Sequence, residues 1–242
     1  MIKALFFDFY GTIVHEDGVV INEITTIISN SGDGADKSAI GSYWWHIFQK
    51  LYMNSFGNSF KTQRELEIKS LEMTLKKFGS NANVNELSQK MFEHWRKPPI
   101  FEDAANFLEL CDMPYYIVSN IDTDDIIAAI HYHGLTPNKI FTSEDAKSYK
   151  PRAELFEMAL KETNLNPQEI VHIGDSLSSD IKGAANLGIN TIWINRNNKK
   201  VPDGVVAVVS FTDILSTSFF SAGENRFDLK IGKEMNNKKG RV

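Results

Sequence analysis

Residues Ala4–Phe7, reading Ala-Leu-Phe-Phe, form an apolar run with no polar alternation, and the run stops at Asp8. A continuous apolar run of this length predicts a strand covered on both faces, as in a parallel sheet enclosed by helices. A carboxylate then stands at the strand's carboxyl end. Gly11 permits a tight turn just beyond it, and Thr12 adds a hydroxyl beside the same acid. In an open α/β sheet ligands bind outside the carboxyl ends of the strands, so Asp8 is a candidate nucleophile or metal ligand.

A parallel sheet needs crossover helices, and the order of patterns along the chain supplies them. Residues 22–95 carry helical periodicity throughout, in Ile24, Ile27 and Ile28, then Trp44, Ile47, Phe48 and Leu51, then Leu66, Leu71, Leu75 and Phe78, then Leu87, Met91 and Trp95. Four helices are expected there, separated at Ser31-Gly32-Asp33-Gly34, Gly57-Asn58-Ser59 and Gly79-Ser80-Asn81. Beyond Lys97-Pro98-Pro99 strands are expected at 115–118, 140–141, 170–173, 191–194 and 205–209. Helices are expected at 104–110, 124–133, 153–163, 180–187 and 211–220. The fold class is therefore α/β, a doubly wound parallel sheet of Rossmann-like type with an inserted α-helical cap subdomain. The core comprises 1–14 and 97–222, the helical cap 15–96, and a polar tail 223–242.

Composition narrows the partners. The 242 residues are 42% hydrophobic with a formal charge of -5, enough for a buried core and without the general basic field that nucleic acid requires. An anionic small-molecule substrate would need local basic groups or a cation. Cys111 is the single cysteine, which rules out a disulfide framework and agrees with a reducing, cytoplasmic setting. No run reaches the roughly 18 apolar residues of a membrane helix, and the first residues do not suit a signal peptide.

Three further strand ends repeat the arrangement at Asp8: one reaches Ser119-Asn120, a second leads to Lys150-Pro151, and a third reaches Gly174-Asp175 with Asp180 five residues on. A hydroxyl, a lysine and three acids meeting at one sheet rim make a phosphate-and-metal constellation. On these residues the chain resembles the haloacid dehalogenase-like hydrolase superfamily. Asp8-Phe9-Tyr10-Gly11-Thr12 resembles its first motif, Ser119-Asn120 the second, Lys150-Pro151 the third, and Gly174-Asp175-Ser176-Leu177-Ser178-Ser179-Asp180 the fourth. The resemblance implies that Asp8 is a nucleophile forming an aspartyl intermediate. It implies Mg²⁺ held by Asp8, Asp175 and the backbone carbonyl of Tyr10, with Asp180 binding directly or through an intermediary. Thr12, Ser119, Asn120 and Lys150 are then expected to bind the substrate phosphate, Ser119 and Lys150 also serving catalysis.

One position departs from the phosphatases of that superfamily. Where they carry a second Asp two residues after the nucleophile, this chain has Tyr10, a phenol poorly suited to general acid and base work at neutral pH. The Asp-x-Tyr-Gly-Thr form resembles that of 2-haloacid dehalogenases, whose halide leaving group needs no proton. Those enzymes place an arginine early in the cap, and here none precedes Arg64. A Mg²⁺-dependent hydrolase of a small phosphate ester is therefore the preferred reading. The alternatives are a 2-haloacid dehalogenase-like hydrolase and a family member that binds metal and phosphate without turnover. His15, Glu16 and Asp17 follow the first motif and could supply the missing proton. Trp44, Trp45, Phe48 and Tyr52 could line a pocket under the helical block, but their spacing favours its core, and Asp122, Asp124 and Asp125 are expected at the N-terminus of their own helix.

Overall fold

The computed structural model describes residues 1–220. Six strands form one parallel sheet in the order β3-β2-β1-β4-β5-β6. They are β1 Ala4–Phe7, β2 Tyr115–Ser119, β3 Lys139–Thr142, β4 Ile170–Gly174, β5 Asn190–Ile194 and β6 Ala207–Val208. Phe7 lies level with Ile117 of β2 on one side and Ile173 of β4 on the other. The chain winds outward from β1 in both directions, so the strand order reverses beside β1 and a crevice opens at its carboxyl end. Asp8 is the first residue beyond that end.

The apolar run behaves as its unbroken pattern requires. Leu5 and Phe7 enter one cluster, where Phe7 stacks on Phe211 and meets Phe107 edge-on, while Phe6 enters the opposite cluster with Phe141 and Phe156. Successive side chains of a strand point to opposite faces, so apolar residues at every position bury both. Truncating either phenylalanine to Ala would cost about 3–5 kcal/mol.

Four helices separate β1 from the rest of the sheet: α1 Gly18–Ser31, α2 Lys37–Met53, α3 Gln63–Lys77 and α4 Val84–Arg96. The expected glycine-rich breaks fall between them. Asp36 caps α2 by accepting from Ser38 and Ala39 N–H, and Thr62 with Glu65 forms a reciprocal capping box at α3. On the sheet side follow α5 Glu102–Leu110, α6 Thr123–His133, α7 Ser143–Ala146 and α8 Ala153–Thr163. Helix α7 is one capped turn, too short to leave a periodic pattern in the sequence.

The expected helix over 180–187 takes another form. Leu177–Lys182 makes a widened π-type turn, and only Gly183–Ala185, α9, follows as α-helix. Ile181 N–H reaches back five residues to the Ser176 carbonyl. The wider turn carries the Asp180 side chain inward under Gly174, where a Cβ would lie 2.4 Å from Asp180 Cγ. The last expected strand shortens to Ala207–Val208, and the closing helix to a 3₁₀ segment, Phe211–Ser216. The tail over 223–242 lies outside the described residues. Among those residues, no helix is long and apolar enough to cross a membrane.

Candidate active site

Lys150 is the hub of the rim. It is 1% exposed, and its ammonium donates to Asp8 Oδ1 at 2.8 Å, Asp180 Oδ1 at 2.6 Å and the Val118 carbonyl at 2.8 Å. Burial lowers its pKa, but the two carboxylates outweigh burial and the group stays charged. Asn120 holds the Lys150 backbone on both sides, Nδ2 donating to its carbonyl and Oδ1 accepting from its N–H. Ser119 Oγ donates to Asp8 Oδ1 at 3.0 Å. The second and third sequence motifs thus act on one oxygen of Asp8.

The two acids of the fourth motif have opposite environments. Asp180 is buried, which raises its pKa, yet Lys150 and His172 together hold its carboxyl far below the usual range. His172, wholly buried on β4, lies 3.1 Å from Asp180 Oδ1 through Nε2, and burial keeps the ring neutral. What the sequence did not disclose is that this histidine props Asp180. Among the described residues, Asp175 has no cation paired with it. Burial first, then the charges of Asp8, Asp180 and Glu16, push its carboxyl up to about 8, against one hydroxyl hydrogen bond from Thr12 at 3.2 Å.

Carboxylate oxygens of Asp8, Asp175 and Asp180 lie within 4.8 Å of one another. Three hard oxygen donors sharing one ammonium leave the cluster short of positive charge, so the donor set suits a small divalent cation. Gly11 makes the approach possible: its φ is +85°, and a Cβ there would meet the Asp175 carboxyl at 2.7 Å. Thr12 corrects the sequence reading. It is wholly buried and gives its hydroxyl to Asp175, so it orients a ligand of the cluster and does not line the space a substrate would fill.

That space is a cavity of about 550 Å³ between the rim and the helices, bordered by Asp8, Ser119, Asn120, Lys150 and Asp175 on one side. Trp44, Trp45, Phe48 and Tyr52 border it on the other, so the pocket placement applies to them and not the core placement their spacing favours. Trp44 does pack inward, its indole N–H donating to Ser70, but Trp45 is 56% exposed and stacks on Phe48. Of the three residues after the first motif, Glu16 and Asp17 line the cavity, whereas His15 stacks on Phe101. Burial raises Asp17 to about 6. Tyr10 also lines the cavity, but its phenol donates to the Trp95 carbonyl at 2.6 Å, and burial and Asp17 push its pKa well up.

Two features escaped sequence reasoning. Glu67 of α3 is 3% exposed and borders the cavity, and burial with the charge of Asp17 holds its carboxyl well above the usual range. Its spacing to Leu71 and Thr74 places it on the buried face of α3, a signal present in the sequence. Asp122 and Asp125 do more than suit their own helix. Asp122 accepts from the N–H groups of Gln63 and Arg64 at 2.7 and 2.9 Å, and Asp125 pairs with Arg64, tying α6 to the start of α3.

The haloacid dehalogenase-like hydrolase family matches over residues 2–188. The chain belongs to this family. Among its relatives, pyrimidine 5'-nucleotidase PynA of Streptococcus pneumoniae is 26% identical over 223 residues, 88% of this chain and 93% of that protein. (S)-2-haloacid dehalogenase 4A of Burkholderia cepacia is 23% identical over 201 residues, 81% and 84% of the respective lengths. The fold matches the magnesium-bound hydrolase YfnB of Bacillus subtilis at a TM-score of 0.72 with 22% identity, covering 89% of this chain and 97% of that one. It matches L-2-haloacid dehalogenase from Xanthobacter autotrophicus at 0.70 with 18% identity, covering 88% and 97%. Membership in the hydrolase family accounts for the four motifs meeting at one rim, and the relatives include both a nucleotidase and a haloacid dehalogenase.

Proposed function

We propose that this family member is a Mg²⁺-dependent hydrolase of a small phosphate ester, with Asp8 as nucleophile and residues 15–96 as a cap over the site. The observation that carries this reading is Asp175, an acid brought beside Asp8 with no cation of its own among the described residues. Asp8, Asp175 and the Tyr10 backbone carbonyl would hold the ion. Asp180 would stand behind them, since Lys150 and His172 occupy its Oδ1 and Ser176 N–H its Oδ2. When bound, the ion would offset the negative charge that phosphate and the paired acids bring together.

The chain's own residues perform the remaining work. Ser119 and Lys150 grip the same Asp8 oxygen, which fixes the carboxylate's rotation and presents the other oxygen for in-line attack. Asn120 keeps Lys150 in place through its backbone. Tyr10 cannot provide the leaving-group proton, because its phenol is committed to Trp95 and its acidity is reduced by burial. Glu16, a carboxyl that lines the cavity, takes that role once it has picked up a proton.

Tyr10 and the likeness to the Burkholderia enzyme support a second reading, 2-haloacid dehalogenation. A turnover screen of phosphoesters and 2-haloacids with and without Mg²⁺ separates the two, with Asp8→Asn as blank. Metal-dependent phosphate release supports the first reading and metal-free halide release the second. Absence of both, with Mg²⁺ or phosphate still raising the melting temperature, would make the protein a binding member of the family.

A further inference from the structure

The helix-side wall of the cavity is built with acceptors that lack donors. Glu67 is almost wholly buried, and its Oε1 has no hydrogen-bond partner among the described residues. Asp17 borders the same cavity, its charge acts on Glu67, and its Oδ1 is likewise unpartnered. His94 Nε2 lies 3.4 Å from that oxygen without hydrogen-bond geometry and is itself unpartnered among the described residues, while Asp17 Oδ2 accepts from the Trp95 indole at 3.4 Å. A buried carboxyl oxygen left unpaired is destabilising by more than an ordinary hydrogen bond returns, so two on one wall call for a ligand that supplies N–H donors.

The described residues do not supply the missing charge. Among the described residues lining the cavity the cations are Lys150 and Lys199; Lys150 is committed to Asp8 and Asp180, and Lys199 is exposed. Trp44 and Trp45 border the same space, and indole faces attract cations more strongly than other rings do. The geometry points to a recognition site for a positively charged amine, with Glu67 and Asp17 accepting its N–H bonds beside the Trp44 and Trp45 rings. This rests on the phosphoester reading in one respect: it names the leaving group, an amino alcohol, so that the substrate is an aminoalkyl phosphate.

The test compares 3-aminopropyl phosphate with n-butyl phosphate, which match in chain length and differ in the charged nitrogen. With Mg²⁺ at neutral pH, kcat/KM should favour the amine by about 10- to 100-fold, as hydrogen bonds between charged groups and a cation–π contact would give. Glu67→Gln and, separately, Asp17→Asn should bring that ratio towards one. A readout free of turnover is the melting temperature of Asp8→Asn: 3-phenylpropylammonium should raise it and 3-phenylpropanol should not. If butyl and aminopropyl phosphates are hydrolysed alike, or uridine 5'-phosphate, a neutral N–H donor, is much preferred to the amine, the amine site is overturned and the hydrolase reading stands. If no phosphoester turns over while the ammonium probe still stabilises the protein, and Glu67→Gln abolishes that stabilisation, the amine site stands and the reaction assigned to it falls.

Discussion

Replacing Asp175 by Asn perturbs the acid cluster where the expected effect can be worked out from its surroundings. Burial and the charges of Asp8, Asp180 and Glu16 push this carboxyl from an ordinary 3.8 up to about 8 in the ion-free protein. Between those values the folded chain keeps a proton that the unfolded chain has released. Its contribution is therefore fully favourable below about pH 4, and stability is lost as pH rises through about 8. Each pH unit crossed removes up to about 1.4 kcal/mol, so the whole interval removes at most about 6 kcal/mol; solvent reaching Asp175 through the cavity reduces this to about 2–4 kcal/mol. Asp175→Asn escapes that loss and retains an acceptor for the Thr12 hydroxyl. In EDTA, urea unfolding should find the two proteins equally stable near about pH 4 and the variant ahead by about 2–4 kcal/mol at about pH 8. Mg²⁺ should close most of that gap, since ligand at about 100 times its Kd adds about 2.7 kcal/mol to a protein that binds it. Parallel stability curves across this pH range, or equal responses to Mg²⁺, would refute the reasoning.

The remaining predictions follow from single contacts. Arg64→Ala strips the buried Asp125 of its closest partner and leaves Arg96 at 3.5 Å; thermal unfolding should show a loss of about 3 kcal/mol, or roughly 6–12 °C. Tyr10→Phe should lower stability by about 1 kcal/mol through the lost bond to Trp95 and leave the pH profile of kcat in place; a displaced profile would restore the phenol as a proton carrier. Glu16→Gln should reduce kcat on alkyl phosphates by about 10²- to 10⁴-fold while sparing p-nitrophenyl phosphate, whose leaving group needs no proton, and an equal fall on both would remove Glu16 from that role. Asn120→Ala frees the backbone on both sides of Lys150 and should lower kcat by about 10- to 100-fold with a smaller change in KM, read by steady-state kinetics.

Local pattern was enough for the sheet because β1, β2 and β4 are buried on both faces, and their apolar runs end where their strands end. The four helices before α5 were legible for a similar reason, since periodicity and glycine breaks are local. Irregular backbone was less accessible. The turn over Leu177–Lys182 widens to deliver Asp180 to Lys150, a partner 30 residues away, and no property of the turn's own sequence announces that demand. Ala207–Val208 is short because pairing with Trp193 and Ile194 of β5, rather than its own apolar residues, defines how far it runs.

By itself the sequence determined an α/β sheet, an inserted helical block and a set of polar residues at strand ends, because each of these follows from side-chain pattern along a few turns or strand residues. Only the tertiary structure decided what those residues do to one another. Among the described residues it brought Asp175 to Asp8 without a cation, gave the Thr12 hydroxyl to Asp175, set the α2 aromatics along the cavity and left Glu67 Oε1 buried without a hydrogen-bond partner. Charge, burial and hydrogen-bond satisfaction are properties of surroundings assembled from distant segments, so they came into being only when the sheet and helices closed around the cavity.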